Sequence, residues 1–145
     1  MSRQVSMIAY RNTLEGISPD QLEGFFVGWP SHPSKEAHYR LLERSDAIVI
    51  AVDESSKRVV GFITAHTDQV LSAYIPLLEV LPEYQGRGIG RQLVRLMLER
   101  LKDFYMVDLL CDEDLQEFYE YMGMKKATGM MIRNFGRQTG EKLVE

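Results

Sequence analysis

The segment Leu78-Glu79-Val80-Leu81-Pro82-Glu83-Tyr84-Gln85-Gly86-Arg87-Gly88-Ile89-Gly90 joins an apolar run, Ala73–Leu81, to the clearest amphipathic stretch of the chain, Arg91–Lys102. In that stretch and just beyond it, Leu93, Leu96, Met97, Leu101 and Phe104 share one face, while Arg91, Arg95, Glu99 and Arg100 fall elsewhere. That is the spacing of a helix laid on a core. The run before the loop reads as a strand ended by Pro82. A strand, a glycine loop and a helix in this order make an anion site. Glycines at 86, 88 and 90 reach unusual dihedrals and let a ligand approach the backbone. The helix N-terminus adds unpaired N–H groups and the positive end of its dipole, suited to a pyrophosphate. Arg87 and Arg91 supply further charge. The glycines alone fit a plain structural turn equally well. A Walker loop does not fit, because no Gly-Lys-Ser/Thr follows. A dinucleotide loop does not fit either: the spacing is G-x-G-x-G, and too little sequence follows to complete such a sheet.

Working outward, Val5–Arg11 reads as a strand. Ser18-Pro19-Asp20 is a helix start, with the helix continuing through Leu22, Phe25 and Phe26 until Gly28-Trp29-Pro30 stops it. Ser31 or Ser34 caps a second helix running to about Arg44. Ala47–Val52 and Arg58–Thr67 flank a polar turn and predict an antiparallel hairpin. After the central helix, Met106–Cys111 reads as a buried strand. Asp114–Met122 reads as a short helix closed by Gly123, and Ala127–Asn134 as a final strand. The polar residues from Phe135 read as a frayed tail. The predicted order is β, α, α, β, β, β, α, β, α, β. Ala73–Cys111 forms a strand–helix–strand unit, which implies a parallel pair, whereas the hairpins imply antiparallel ones. The expectation is a single α/β domain over 1–145, with a mixed sheet and helices on both faces.

Composition narrows the function. With 145 residues, 45% hydrophobic and 26% charged, the chain matches an ordinary globular domain. A net charge of −4 argues against a general nucleic-acid surface and suits a basic acceptor better than an acidic one. The single cysteine, Cys111, permits no internal disulfide, and His32, His38 and His66 have no metal-ligand spacing, so no metal is expected. There is no signal pattern at the N-terminus and no run of about 18 apolar residues. The expected location is therefore the cytoplasm, with no membrane partner.

Gln85-x-x-Gly88-x-Gly90, after a strand ending in Val80-x-Pro82, resembles the acyl-CoA pyrophosphate motif of the GNAT superfamily of N-acetyltransferases. Independently, Phe118-Tyr119-Glu120-Tyr121-Met122-Gly123-Met124 resembles that family's Phe-Tyr-x-x-x-Gly-Phe signature. The separation of the two segments and the order of elements resemble the family as well. Two departures stand out: Asp112 replaces the frequent Asn, and Met124 the usual aromatic. The resemblance implies a mostly antiparallel sheet with one splayed parallel pair, and acetyl-CoA as co-substrate for direct attack by a primary amine in a ternary complex. It assigns the pyrophosphate to the backbone of Gln85, Gly86, Arg87, Gly88, Ile89 and Gly90, with Arg91 opening the helix behind. Val80 and Leu81 match the positions that pair with the pantetheine arm. An N–H near Val80 would then polarise the thioester carbonyl, worth ~3–4 kcal/mol in well-studied enzymes.

Tyr119 matches the family's general acid; read from the residues alone it is a core aromatic beside Phe118. Glu79 is the candidate base, a carboxylate inside an apolar strand; the alternative is an outward residue paired to an arginine, and some relatives use water. Cys111 reads as a buried structural thiol. In relatives the helices near Phe26, Trp29 and His32 wall the acceptor site, although Phe26 and Trp29 also read as core and its cover. The acceptor is a small-molecule or peptide amine. The alternatives are a non-catalytic acyl-CoA sensor and an acetyltransferase acting on protein N-termini or lysines. Many relatives are homodimers, so a homodimer through the final strand or tail is an expectation by analogy.

Overall fold

A computed structural model describes residues 7–141. The strands and helices are β1 (Ile8–Arg11), α1 (Lys35–Arg44), β2 (Ala47–Asp53), β3 (Val59–Thr67), β4 (Ser72–Tyr74), β5 (Leu78–Val80), α2 (Ile89–Arg100), β6 (Met106–Asp108) and α3 (Gln116–Tyr121). The predicted first strand begins at Ile8; its earlier residues Val5 and Ser6 lie outside the described ones. The sheet runs β1-β2-β3-β4-β6, with β5 also pairing β3. All pairs are antiparallel except β4 with β6. The mixed, mostly antiparallel sheet with one parallel pair is thus as expected.

Every residue of β2 and the first seven of β3 are buried, because both faces are covered. Side chains alternate across a strand. Gly61 of β3 faces α2 so closely that a Cβ there would sit 3.1 Å from Leu93 and 3.3 Å from Ile89. Glycine is what allows α2, and the loop that begins it, to lie this close to the sheet. Phe62 points to the opposite face and packs edge-on against Phe25, with His38 of α1 4.4 Å away. The two long helices therefore cover opposite faces.

Two predicted elements are absent. The helix expected from Ser18 through Phe26 is a single 3-10 turn, Pro19–Gln21, closed by a Ser18–Gln21 capping box. Gly24 and Phe26 take positive φ of 93° and 63°, which breaks the helical path and turns Phe25 and Phe26 under the sheet. Burial against Phe62 and His38 outweighs local helical preference. The expected strand Ala127–Asn134 does not form either. β6 is three residues long and pairs β4, and residues 127–134 run irregularly with Met130, Met131 and Ile132 exposed. α1 begins where Ser34 Oγ accepts from the Ala37 N–H at 3.1 Å, so Ser34 rather than Ser31 is its cap. The tail is not wholly frayed: Phe135–Arg137 forms a 3-10 turn and Gln138 Oε1 accepts from the Ser31 N–H at 3.3 Å.

His38 is 1% exposed and neither ring nitrogen has a hydrogen-bond partner among the described residues. Its surroundings are the rings of Phe25, Phe26 and Phe62. Burial in that apolar box pushes its pKa down to about 4. The unfolded histidine, with an ordinary pKa near ~6.5, binds a proton between these values that the folded one does not. The neutral ring's place in the fold is therefore fully compatible with stability above about pH 6.5, and stability falls by roughly 3 kcal/mol as pH drops through that window. Urea unfolding between pH 4.5 and 7 should show a steeper loss for the parent than for His38→Phe. Equal slopes would disprove the assignment.

Candidate active site

The glycine part of the loop between β5 and α2 leaves its amides free, whereas the Gln85 N–H, expected in the cradle, is taken by the Pro82 carbonyl at 3.2 Å. Gly86 and Gly88 have φ of 79° and 81°, left-handed values that favour glycine. A Cβ at either would meet no atom within 4 Å, so the space beside the loop is open. Gly88 is also the N-cap of α2 and offers no side chain to its amides. Among the described residues no hydrogen bond uses the N–H groups of Gly86 through Arg91; the first paired amide is that of Gln92, 3.1 Å from the Gly88 carbonyl. Six successive free N–H groups at the positive end of a twelve-residue helix form an anion cradle. Its base is fastened. Tyr84 donates to Asp53 Oδ2 at 2.5 Å, and Arg58 pairs Glu83 at 3.0 Å. Arg87 lies over the Tyr84 ring and Arg91 over the Tyr121 ring, at 4.9 and 4.6 Å, so both cations are held beside the cradle.

A cleft of about 1310 Å³ opens next to it. The predicted strand Ala73–Leu81 is interrupted at Ile75-Pro76-Leu77, giving β4 and β5. The Ile75 N–H makes the last bond to the β6 side, reaching the Asp108 carbonyl at 2.9 Å. Beyond it β5 stays on β3, through Thr64 N–H to Leu77 O and Leu81 N–H to Val60 O at 3.1 and 2.9 Å. With Phe62 opposite Glu79, that alternation turns the N–H and C=O of Leu78 and Val80 away from β3 and into the cleft. The Val80 carbonyl accepts from Gln85 Nε2 at 3.0 Å, which leaves the Val80 N–H as a donor facing the cleft. Leu81 is different: its N–H is taken by Val60 and its side chain is fully buried.

Glu79 shares the face of Phe62. Its Oε1 accepts from the Phe26 N–H at 2.7 Å and the Val27 N–H at 3.3 Å; no arginine pairs it among the described residues. Half-burial raises its pKa, with the Val27 and Phe26 amides opposing that rise. Tyr119, on α3, is buried against Phe118 with the ring centroids 5.0 Å apart. Its hydroxyl has no hydrogen bond among the described residues, and the side chain lines the cleft. Burial, with a contribution from Cys111, pushes its pKa up to about 12. Cys111 itself is half-buried: it packs against the core and also lines the cleft. Burial and the nearby Asp112 and Asp114 raise its pKa, which disfavours a thiolate nucleophile.

Of the three residues expected at the acceptor end, only Trp29 lines the cleft. The Phe26 side chain is core, between His38, Phe62 and Trp29, and its contribution to the site is its backbone N–H. His32 lines a separate small cavity with Leu22, Lys35 and His38, its Nδ1 2.9 Å from the Pro33 carbonyl. The outer wall comes instead from Met130, Met131, Arg133 and Phe135, residues that read in the sequence as a strand and the start of the tail. The signal was there as an apolar pattern; its destination was not.

The Acetyltransferase (GNAT) family matches residues 14–124. A provisionally assigned acetyltransferase from Deinococcus radiodurans R1 is 42% identical, with a TM-score of 0.92 over 98% of this chain and 99% of that one. A GNAT-family acetyltransferase from Streptococcus pneumoniae TIGR4 is 32% identical, with a TM-score of 0.69 over 88% and 98%. The uncharacterised N-acetyltransferase ycf52 of Porphyra purpurea is 30% identical over 69% of this chain. The chain spans 59% of the length of that curated relative. The chain belongs to the GNAT family, whose members use acetyl-CoA as co-substrate.

Gly88→Glu puts a side chain and a negative charge on the open side of the cradle. Acetyl-CoA titrated by calorimetry should bind the parent saturably, and its affinity for the still-folded variant should fall at least roughly a hundredfold, since a like charge set against the pyrophosphate costs several kcal/mol. Unchanged binding would remove the cradle from the site.

Proposed function

We propose that this chain transfers an acetyl group from acetyl-CoA to a primary amine by direct attack in a ternary complex. The observation that carries this is an amide cradle set next to one cleft that is lined by Val80, with its unpaired N–H, by Glu79 and by Tyr119. Pyrophosphate bound at Gly86–Arg91 directs the pantetheine arm along β5, where it takes the place of the strand that β6 does not supply. The thioester carbonyl then accepts from Val80 N–H, a fixed donor that strengthens its bond as the oxygen gains charge.

The acceptor enters as an ammonium and must lose a proton before it can attack. Glu79 takes that proton, directly or through water. The two backbone amides fix Oε1 and leave Oε2 for this work, while burial keeps the carboxylate more basic than an exposed one. The nitrogen lone pair adds to the carbonyl carbon and the C–S bond breaks. The products are the amide and the coenzyme thiol, with one proton released to solvent. Tyr119 donates a hydrogen bond to the departing sulfur. With a pKa of about 12, full transfer of its proton to a thiolate of ordinary basicity would be uphill by roughly 4–5 kcal/mol. Its role is therefore to stabilise the developing thiolate, and solvent completes the protonation.

Free-thiol release at saturating acetyl-CoA tests this. Glu79→Gln should lower kcat by about 10²–10⁴. It should also abolish the acid limb of the pH–rate profile, along which the parent loses activity as falling pH protonates Glu79, at a pH above the ordinary carboxylate value. Tyr119→Phe should lower kcat without weakening acetyl-CoA binding. A Glu79→Gln variant that retains both rate and acid limb would assign the proton transfer elsewhere.

A further inference from the structure

The acceptor end of the cleft has a distinct chemistry. One wall is the loop that holds Glu79: it carries Val27, which is exposed, and Trp29, whose ring leans on Phe26 with centroids 4.9 Å apart. The facing wall carries Met131 and Phe135, also exposed. Large apolar side chains that share a cleft and are left in water mark a place where an apolar body docks. Charge is sparse. The cleft is lined by two carboxylates, Glu79 and Asp112, and one guanidinium, that of Arg133. The Arg133 side chain bonds only its neighbour's carbonyl among the described residues. A polycation would find only two carboxylates, Glu79 and Asp112, and its further ammonium groups would face thioether or the Arg133 guanidinium, where desolvation goes uncompensated. The two walls are also joined, Ser31 N–H to Gln138 Oε1 at 3.3 Å, which suits a compact acceptor better than an extended chain.

We propose that the acceptor is a small primary monoamine carried on an aromatic or bulky aliphatic body, with its ammonium at Glu79 and its body between Trp29 and the Met131–Phe135 wall. This rests on the acetyltransferase reading. The reaction joins the acceptor nitrogen to the acetyl carbon, breaks the C–S bond, and releases the coenzyme thiol and one proton. Methionine and indole together form a wall that adapts to shape while remaining apolar, so the selection is for polarity and single charge rather than for one outline.

The test uses the full chain, acetyl-CoA and thiol release with five acceptors: 2-phenylethylamine, methylamine, spermidine, kanamycin and a short peptide with a free N-terminal Met. 2-Phenylethylamine should exceed each of the others in kcat/KM by roughly tenfold or more. Trp29→Ala should raise KM for 2-phenylethylamine several-fold more than for methylamine, with kcat the less affected, and Trp29→Phe should recover most of the loss. A preference for spermidine, kanamycin or the peptide overturns the proposal, as does an equal effect of Trp29→Ala on both monoamines. So does acetyl-CoA binding without turnover of any monoamine. Calorimetry separates the two levels: if the parent does not bind acetyl-CoA, the acetyltransferase reading itself fails, whereas binding with turnover of a polycation or peptide refutes only the acceptor class.

Discussion

One stretch of chain has to satisfy two neighbours that diverge. From Ser72 to Val80 it lies along β3, but β6 accompanies it only through Ile75. Pro76, which has no N–H to give, sits where the second neighbour is lost. A half-buried strand with an unpaired edge is normally a liability; here the unpaired edge faces the cleft. The free amide of Val80, the cleft and the approach of the cradle all follow from that divergence. Gly61 serves the same arrangement from the other side of β3, by letting α2 lie close enough to bring its N-terminus to the end of β5.

Glu79 illustrates how little charge the site contains. A carboxylate in a half-buried position needs partners, and an arginine would have supplied one at the expense of its basicity. Two backbone amides orient Oε1 instead. Those amides come from a loop whose Phe26 has φ of 63°, an unfavourable value for a bulky residue. The strain is held in place by the packing of the Phe26 ring on His38, Phe62 and Trp29. The aromatic cluster on this face of the sheet and the Glu79 carboxylate beside it are therefore joined through one residue: its side chain packs in the first and its N–H bonds the second.

The parts of the protein that were legible in the sequence are those where a local signal and the tertiary structure agree. Gly86 and Gly88 need positive φ and have it, Ser34 caps the helix it precedes, and β2 and β3 are mostly apolar because both faces are covered. The misread elements are those where a local signal met a stronger distant one. Ser18-Pro19-Asp20 does start a turn, but Phe25 and Phe26 leave the helical path because the sheet offers them burial. Residues 127–134 have a strand pattern, yet a strand needs a partner, and β6 is too short to be one. The same reasoning explains why the outer wall of the cleft was not legible. Exposed apolar residues in an irregular segment look like a strand or a tail until the cleft beside them is seen. Phe26 and His32 show the converse: proximity in sequence to Trp29 did not place them in the cleft.

The bond between Ser31 and Gln138 spans 107 residues and fastens together the two walls of the acceptor end. That clasp, an exposed bond, joins one backbone amide to one side-chain amide and holds two segments that share no strand pairing. The outer mouth of the cleft is therefore closed by a bond that water can replace, while the sheet beneath it is held by pairings buried on both faces. Mouth and sheet can thus vary separately, the one through Gln138 and the other only through the core.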